Sequence, residues 1–499
     1  MTRRLMIWCG FLLLLHLACN SPAPVTTAEA HRPRFHFTPP SGWMNDPNGL
    51  VYQNGEYHLF YQHYPDSTVW GPMHWGHAVT RDLINWQHLP IALYPDSLGY
   101  IFSGSAVADT ANTSGLKQGS ATPLVALFTY DKQGFETQGL AYSTDNGRTW
   151  QKYDKNPVIG NPGEKDFRDP KVFYHQASGH WIMCLAVKDH IEFYRSQNLL
   201  QWQKTGSFGK TYGSHGGVWE CPDLFPLTNP ETGVTKWILL VSINPGGPNG
   251  GSSTQYFTGS FNGTTFTCEE DTAQVRWLDY GPDNYAGVTW NNVPGNRRIF
   301  LGWMSNWNYG QVVPTATWRS AMTVPRELTL QQAGNNWTVA SLPVKELEAL
   351  RQNEQPIAAG EEMSFNGLAD MEITFDLTTN PEEAGMVFTN NSNEQLRIGY
   401  EREHNRLYID RSRAGKAGFS DRFIPVSYAP RISDSTRLTL RIVLDVASAE
   451  LFADNGLTCM TSVFFPSATF NRFKMYYRGK TSPFIEGKWY ALKEARFSK

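Results

Sequence analysis

The segment RDLINWQHLP (81–90) decides the fold of this chain, because its pattern of a polar turn followed by an aromatic residue recurs. The other copies are STDNGRTWQKY (143–153), SQNLLQWQKTG (196–206) and SFNGTTFTCEE (260–270). Their aromatic residues, Trp86, Trp150, Trp202 and Phe266, are spaced by roughly 50 to 65 residues. Each copy is typical of a β-hairpin in which a tight turn closes over a packed aromatic side chain.

Between these hairpins lie short apolar or aromatic runs broken by Gly, Pro, Asn and Asp, for example EYHLFYQHY (56–64) and KWILLVSI (236–243). Such runs predict strands, and no useful helical periodicity interrupts them. One hairpin for every four strands is the repeat of a β-propeller. About 300 residues at about 60 per repeat predict a five-bladed propeller over 34–340. An irregular β-sandwich is the alternative on this evidence.

The pattern of apolar and polar residues changes after residue 330. LPVKELEALRQN (342–353) has apolar residues at helical spacing and predicts a short helix within a linker at 341–354. Alternating strands such as MEITFDL (371–377) and RLTLRIVLD (437–445) follow. They predict a β-sandwich over 355–499 that supports the propeller. The fold class is therefore all-β, a five-bladed β-propeller followed by a C-terminal β-sandwich.

The N-terminus predicts export. A basic start and an apolar run from Leu5 to Ala18 are typical of a signal peptide, 1–18, and are too short for a confident membrane span. Cys19 after a small residue resembles a bacterial lipoprotein cleavage site, although His16 departs from that pattern. We therefore expect lipidation of Cys19, a linker at 19–33 and membrane contact through this anchor alone. Plain secretion is the alternative.

Composition excludes several classes of function. The net charge of −3, with both signs dispersed, gives no basic patch for nucleic acid. The cysteines beyond the leader are scattered without zinc-ligand spacing, which favours buried thiols but leaves one disulfide open. They are Cys184, Cys221, Cys268 and Cys459. We expect no cofactor.

Three acidic motifs stand out in the predicted propeller: WMNDPNG with Asp46, FRDP with Asp169, and WECP with Glu220. In each, an acid lies close to a proline and to aromatic residues. Because proline restricts its neighbour, we expect each acid at a turn or strand end, with NDPNG read as a turn. The acids lie about two blades and one blade apart, so they could meet in the central channel. Taken singly, a turn cap or a local salt bridge would explain Asp46 and Asp169.

Glu220 has bulky neighbours, and their apolar surface would raise the pKa of a carboxyl group, as a general acid requires. Two carboxylates with aromatic surfaces nearby fit the cleavage of glycosidic bonds, with a third carboxylate to bind hydroxyls. A metal site is the competing use of three acids. No run resembling DxDxDG provides closely spaced oxygen ligands, so we expect no metal.

These motifs resemble glycoside hydrolase family 32, the invertases, inulinases and levanases that cleave β-fructofuranosides. The likeness covers nearly all of the chain after the leader and includes segments beyond the three acids. These are YQHYP (61–65), HWGHAVTRDLINW (74–86), FSGSAV (102–107), NPGGPNGG (244–251), GWMSNW (302–307) and PTATWRSAMTVPREL (314–328). The resemblance implies the same propeller and sandwich.

The resemblance also implies roles. Asp46 would be the nucleophile, Glu220 the general acid and base, and Asp169 the stabiliser of the transition state. Residues that would line the fructose pocket are Trp43, Asn45, Gln62, Trp70, Phe102, Ser103, Arg168 and Trp303. Without the resemblance, Gln62 and Ser103 are equally well explained as solvent-facing strand residues, and the aromatic residues as propeller core.

The expected activity is retaining hydrolysis of levan, inulin and possibly sucrose, with release of fructose from chain ends by a monomeric enzyme. Endo-acting cleavage to fructo-oligosaccharides is the alternative, and transfer to a sugar acceptor is left open. A non-catalytic fructan-binding lipoprotein is a rival of another class. So is an inverting five-bladed enzyme acting on arabinan or xylan, which the motifs WMNDPNG and WECP disfavour.

Overall fold

The computed structural model describes residues 29–498, so the predicted signal peptide, Cys19 and most of the linker at 19–33 lie outside it. The described chain is nearly all β-strand. Its short 3-10 helices include Pro294–Asn296, Lys345–Leu350 and Leu377–Thr379. Between residues 29 and 498, the helices are too short or too polar to cross a membrane.

Five antiparallel sheets, which we call blades I to V, follow one another along the first part of the chain. Blade I contains β1 (Gly42–Gln53), β2 (Glu56–Tyr64), β3 (His74–Thr80) and β4 (Trp86–Leu93). Blade II contains β5 (Tyr100–Ala108), β6 (Leu124–Lys132), β7 (Phe135–Ser143) and β8 (Gln151–Lys152). Blade III contains β9 (Phe167–His175), β10 (His180–Val187), β11 (His190–Ser196) and β12 (Gln203–Phe208).

Blade IV contains β13 (Val218–Thr228), β14 (Thr235–Asn244), β15 (Ser253–Phe261), β16 (Phe266–Cys268) and β17 (Arg276–Trp277). Blade V contains β18 (Tyr285–Thr289), β19 (Ile299–Met304), β21 (Ala321–Met322), β22 (Arg326–Ala333) and β23 (Asn336–Pro343). The short strand β20 (Trp318–Arg319) lies between β19 and β21 in sequence but pairs in parallel with β1 of blade I.

The innermost strands, β1, β5, β9, β13 and β18, contact one another in cyclic order, and β18 returns to β1. Apolar clusters fill the spaces between adjacent blades. One between blades II and III, for example, contains Val125, Leu127, Met183 and Leu185. This closed ring is a β-propeller, as the sequence predicts.

The hairpin repeat is confirmed, and it has one copy more than the four recognised in the sequence. In blades I to IV the repeated segments connect the third strand to the fourth. Blade V has the same connection between β22 and β23, where Trp337 occupies the place of the repeated aromatic residue. The fifth copy, missed in the sequence, completes the pattern of one aromatic hairpin per blade.

The remaining strands form two packed sheets, the predicted sandwich. One contains β24 (Arg351–Pro356), β26 (Ala369–Asp376), β31 (Arg437–Asp445), β32 (Ser448–Ala453), β33 (Thr458–Val463) and β35 (Phe484–Leu492). The other contains β25 (Met363–Ser364), β27 (Glu383–Thr389), β28 (Gln395–Glu401), β29 (Arg406–Arg413), β30 (Val426–Pro430) and β34 (Arg472–Arg478). One large apolar cluster lies between them.

Two short elements of the backbone connect the sandwich to the propeller. The helix predicted over 342–353 is a 3-10 helix, Lys345–Leu350, followed directly by β24. Its apolar Leu347 and Leu350 are buried, so the predicted spacing is used but in a tighter helix. At the other end, β36 (Phe497–Ser498) pairs in parallel with β4 of blade I.

A buried ionic cluster joins the two parts of the protein. His36, just before β1, contacts Asp445 and Glu450 of the sandwich at 2.8 Å through its two ring nitrogens. Arg326 of blade V also binds Glu450, and it pairs with Asp279 at 2.8 Å. Burial would lower the pKa of His36, but the hydrogen bonds and charges of Asp445 and Glu450 outweigh burial and raise it to about 9.

His36 should therefore make stability depend on pH. Its folded pKa of about 9 exceeds its unfolded value of 6.5, so its contribution is complete below pH 6.5 and is lost as the pH rises through 9. The full loss is roughly 3 kcal/mol. We expect urea unfolding at pH 6 and pH 10 to show this difference, and we expect His36→Gln to abolish it. The exposed-site variant His404→Gln should keep the native difference, and an unchanged pH dependence in His36→Gln would contradict the assignment.

Candidate active site

Each innermost strand carries a β-bulge near its start, at the same level of the ring. In every case two residues oppose one residue on the neighbouring strand. The bulged pairs are Asn45 with Asp46, Phe102 with Ser103, Asp169 with Pro170, Cys221 with Pro222, and Ala286 with Gly287. A bulge leaves its extra residue outside the ladder and turns its side chain in a new direction. Five of the predicted site residues are bulge residues.

The motif WMNDPNG is therefore not a turn, as its composition suggests. It lies within β1, where register shifts fall between Met44 and Pro47 and between Asn48 and Val51. The residues that favour turns here serve the bulges, because a bulge tolerates proline and positive φ as a turn does. The acids do lie near the inner ends of first strands, as predicted, in blades I, III and IV.

Backbone strain marks three of the bulges. Asp169, Cys221 and Ala286 have φ values of 66°, 47° and 54°, in the left-handed region that non-glycine residues seldom adopt. Such strain persists only where the surroundings determine it, and it is concentrated at functional sites.

Asp46 is fixed through both of its carboxylate oxygens. Ser103 Oγ, from the bulge of blade II, donates to Oδ2 at 2.6 Å. Asn45 Nδ2 donates to Oδ1 at 2.9 Å, and Trp43 Nε1 in turn donates to Asn45 Oδ1 at 2.7 Å. Burial raises the pKa of the Asp46 carboxyl, the bond from Ser103 opposes this, and the charge of Glu220 adds to it.

Asp169 lies against the bulge of the next blade. The backbone N–H of Cys221 donates to its Oδ2 at 2.9 Å. The Cys221 thiol lies 3.5 Å from the same oxygen and 3.6 Å from Asp46 Oδ2, so this sulfur lies between two of the three acids. Burial raises the pKa of Asp169, Arg168 opposes this, and the charges of Glu220 and Asp46 add to it.

Glu220 is not among apolar groups, contrary to the expectation from its sequence neighbours. Arg168 donates to Glu220 Oε1 from Nε at 3.1 Å and from a terminal nitrogen at 3.0 Å. The buried Tyr285, the paired residue just before the bulge of blade V, donates its hydroxyl to Glu220 Oε2. Trp219 points away from this contact, since its indole N–H donates to the backbone of Ser214 at 2.8 Å.

Arg168 places a positive charge beside the acids. Besides Glu220, it donates to Glu136 at 2.8 Å and to Asp166 at 2.9 Å. Its side chain is only 13% exposed. One guanidinium thus orders carboxylates from β7, β13 and the loop before β9.

The predicted aromatic residues surround this cluster at two depths. Trp43 and Trp303 are fully buried and meet edge to face at 5.9 Å, and both pack against Trp307. Trp70 is 39% exposed and meets Phe102 edge to face at 6.1 Å, so these two form the rim. Gln62 is buried opposite the first bulge and donates to the Ile101 carbonyl at 3.0 Å.

The acids are occupied by protein donors rather than arranged as a metal cage. Among residues 29–498, the one group of side chains with metal-ligand spacing is Glu401, Glu403 and His404 in the sandwich. Asp46 and Glu220, each held through both carboxylate oxygens by hydrogen bonds, suit nucleophilic and acid–base chemistry instead.

The structure adds Cys221 and Tyr285 to the site, neither of which was predicted. Cys221 stands inside the motif WECP, directly after Glu220, and this position indicated a place in the site. From the sequence, however, Cys221 was interpreted only as a buried thiol. Tyr285 stands in DNYAGV (283–288), whose bulged residues, Ala286 and Gly287, are neither acidic nor proline, and this segment gave no signal. All four cysteines in the described chain are free thiols.

Comparison with known proteins gives matches over almost the whole chain. The model of the glycosyl hydrolases family 32 N-terminal domain matches residues 36–341, and that of the family's C-terminal region matches residues 344–490. A levanase from Bacillus subtilis is 45% identical over 492 residues, 95% of this chain and 72% of that protein. An extracellular exo-inulinase from Aspergillus awamori is 37% identical, over 93% of this chain and 95% of its own length.

Solved structures also match this chain over most of its length. The crystal structure of the exo-inulinase from Aspergillus awamori has a TM-score of 0.88 and 34% identity, covering 93% of this chain and 98% of its own. A β-fructofuranosidase from Schwanniomyces occidentalis, complexed with fructosyl-erythritol, has a TM-score of 0.87 and 32% identity, covering 94% and 99%.

Proposed function

The chain belongs to glycosyl hydrolase family 32 and is a glycoside hydrolase acting on fructans, and we propose that it releases fructose from fructan chain ends by a retaining mechanism. The observation that carries this proposal is the cluster of Asp46, Asp169 and Glu220, brought from three blades to one level of the ring. A non-catalytic binding protein would have no need to bring three acids together.

Asp46 is the proposed nucleophile. Its carboxylate attacks the anomeric carbon of the fructosyl unit, and the bond to the leaving oxygen breaks. The bonds from Ser103 and Asn45 hold both carboxylate oxygens, so little reorientation is needed at the moment of attack. The ionised carboxylate also stabilises the positive charge that develops on the sugar ring.

Glu220 is the proposed acid and base. Its proton passes to the leaving oxygen in the first step. In the second step its carboxylate takes a proton from the water that attacks the anomeric carbon, and the bond between that carbon and Asp46 breaks. Tyr285 and Arg168 hold opposite oxygens of Glu220 and so fix its plane.

Asp169 and Arg168 are proposed to hold ring hydroxyls of the fructosyl unit during both steps. The two residues are consecutive on β9, where Arg168 is the last paired residue before the bulge and Asp169 is the first bulged residue. Asp169 accepts from Cys221 through Oδ2 only, which leaves Oδ1 to accept from a hydroxyl.

The places of the other proposed binding residues in the fructose pocket follow from how deeply each side chain is buried. Trp43, Asn45, Gln62, Ser103 and Trp303 form the floor and walls of the fructose pocket, and Trp70 with Phe102 forms its rim. The buried Trp303 Nε1 has no hydrogen-bond partner within the described chain, so this donor is available to a sugar hydroxyl. For a retaining enzyme we expect the carboxyl groups of Asp46 and Glu220 about 5–5.5 Å apart.

Relatives named extracellular exo-inulinases agree with export of this protein and with exo action. We further propose anchoring through lipidated Cys19 after removal of residues 1–18, and a monomeric enzyme. The proposed domain limits are 34–340 for the propeller and 355–499 for the sandwich, joined by 341–354. Mass spectrometry of the mature N-terminus tests the anchor, since an unmodified N-terminus would exclude it.

We expect Asp46→Asn and Glu220→Gln each to lower kcat on levan by roughly a thousandfold or more, because each variant removes a reacting group. Circular dichroism should show the native fold in both. The exposed Asp154 provides the control, and Asp154→Asn should retain native kcat. NMR of the first-formed fructose tests the mechanism, and an inverted anomeric configuration would exclude the double displacement.

We expect Tyr285→Phe to lower kcat about 10- to 100-fold with little change in KM. The variant loses a hydrogen bond to a carboxylate, worth about 1.5–3 kcal/mol, that orients Glu220. Tyr194 provides a matched control, because its hydroxyl donates at 2.7 Å to Glu192 in blade III. Tyr194→Phe should keep native kcat. Equal losses in the two variants would show that Tyr285 acts through stability alone.

Product analysis tests exo action. We expect levan and inulin to yield fructose alone at early times, as measured by thin-layer chromatography and mass spectrometry. Sucrose serves as the comparison substrate, since its single fructosyl unit offers no internal bond. Early appearance of fructo-oligosaccharides from levan would replace the exo proposal by the endo alternative.

A further inference from the structure

A cavity of about 830 Å³ opens at the end of the propeller opposite the acids. It lies where β5, β9 and β13 end, and the segment after β18 closes it. We call it the distal cavity, and its walls include Phe173, Tyr174, Trp181, Phe225, Trp237 and Arg298. This volume lies within the usual range of ligand pockets, about 300–1,000 Å³.

The distal cavity is separated from the acids by a closed section of the channel. There Lys171 pairs with Asp223 at 3.0 Å, and both side chains are buried. Thr289 also binds Asp223, at 2.8 Å through its hydroxyl. The space between this ion pair and the acids is about 10 Å³, no more than one water occupies. A sugar cannot pass, so the distal cavity is not part of the fructose pocket.

The charge of the distal cavity is one-sided. Among the described residues that line it there is no Asp or Glu, whereas Arg297, Arg298 and His175 all contribute. Arg297 is already neutralised, because its guanidinium binds Glu327 at 3.0 Å and Glu346 at 2.6 Å. Arg298 is not neutralised in this way.

The Arg298 side chain makes no hydrogen bond or ion pair with any residue from 29 to 498, whereas its backbone carbonyl accepts from the Leu328 N–H at 2.8 Å. Its guanidinium carbon lies 4.7 Å from the centre of the Phe225 ring, and its Nε is buried without an acceptor. The nearby Asp223 attracts Arg298 electrostatically, but its Oδ2 is held by Lys171 and Thr289. Because a buried guanidinium donor without an acceptor is costly, an anionic ligand in the cavity would lower that cost.

We propose that the distal cavity binds a small organic anion, whose carboxylate or phosphate pairs with Arg298. The aromatic walls, in which Tyr174 is 41% exposed, take the apolar or sugar-like body of the ligand. This site is independent of the fructan chemistry at the other end of the channel.

Calorimetry of the full chain with glucose 6-phosphate, citrate and glucose tests the proposal. We expect saturable binding of one or both anions and none of glucose. Glucose 6-phosphate alone would identify a phosphate site, and citrate alone a carboxylate site. No binding of either anion, or equal binding of glucose, would overturn the proposal.

Two variants locate the binding. Arg298→Gln should weaken anion binding at least tenfold, whereas Arg297→Gln, with the same change of charge, should bind as the native protein does. Ala111→Trp, at an exposed position of the wall, should block the cavity without disturbing the core. All three should release fructose from levan at the native rate, which checks their folding. Native anion affinity in both Arg298→Gln and Ala111→Trp would refute the site.

Discussion

The repeated β-bulge at the inner end of each blade is the constraint from which the site follows. The innermost strands run in the same direction around one axis, so a bulge at one level places five pairs of unpaired residues around one opening. Regular pairing would alternate these side chains between the two faces of each blade. With the bulges, Asp46, Ser103, Asp169 and the Cys221 amide converge, and each is held by a group from a neighbouring blade. The ring and the site therefore form together.

Clustering three acids is electrostatically unfavourable, and the ring supplies the compensation from several blades. Arg168 gives one positive charge shared with Glu136 and Asp166, while Ser103, Tyr285 and the Cys221 amide donate hydrogen bonds. Burial and mutual repulsion nevertheless raise the pKa of Asp46 and Asp169. The hydrogen bonds that Ser103 and Asn45 donate to Asp46, and the Cys221 amide to Asp169, oppose this rise, which supports the ionised carboxylate that a nucleophile requires.

The propeller could be predicted because its signal is local. Each outer hairpin combines a polar turn with one aromatic residue, and Trp86, Trp150, Trp202 and Phe266 suffice to give the period. Trp337 was missed because the strand before it, RELTLQQA, is more polar than its counterparts. Tyr285 was missed for a different reason. Its contact with Glu220 joins residues 65 apart through the packing of blades IV and V, and no local pattern records it.

The acid–proline motifs were expected at strand ends or turns, and the interpretation of NDPNG as a turn was wrong. Proline lacks an N–H, so within a strand it fits where the ladder already lacks a partner, which is the case in a bulge. Pro170 and Pro222 are themselves unpaired bulge residues, and Pro47 is the first paired residue after one. A turn and a bulge favour the same residues, and only the pairing of β1 with β2, β9 with β10 and β13 with β14 distinguishes them. That pairing is set by distant partners, so the sequence indicated where the acids are fixed but not that a continuous strand fixes them.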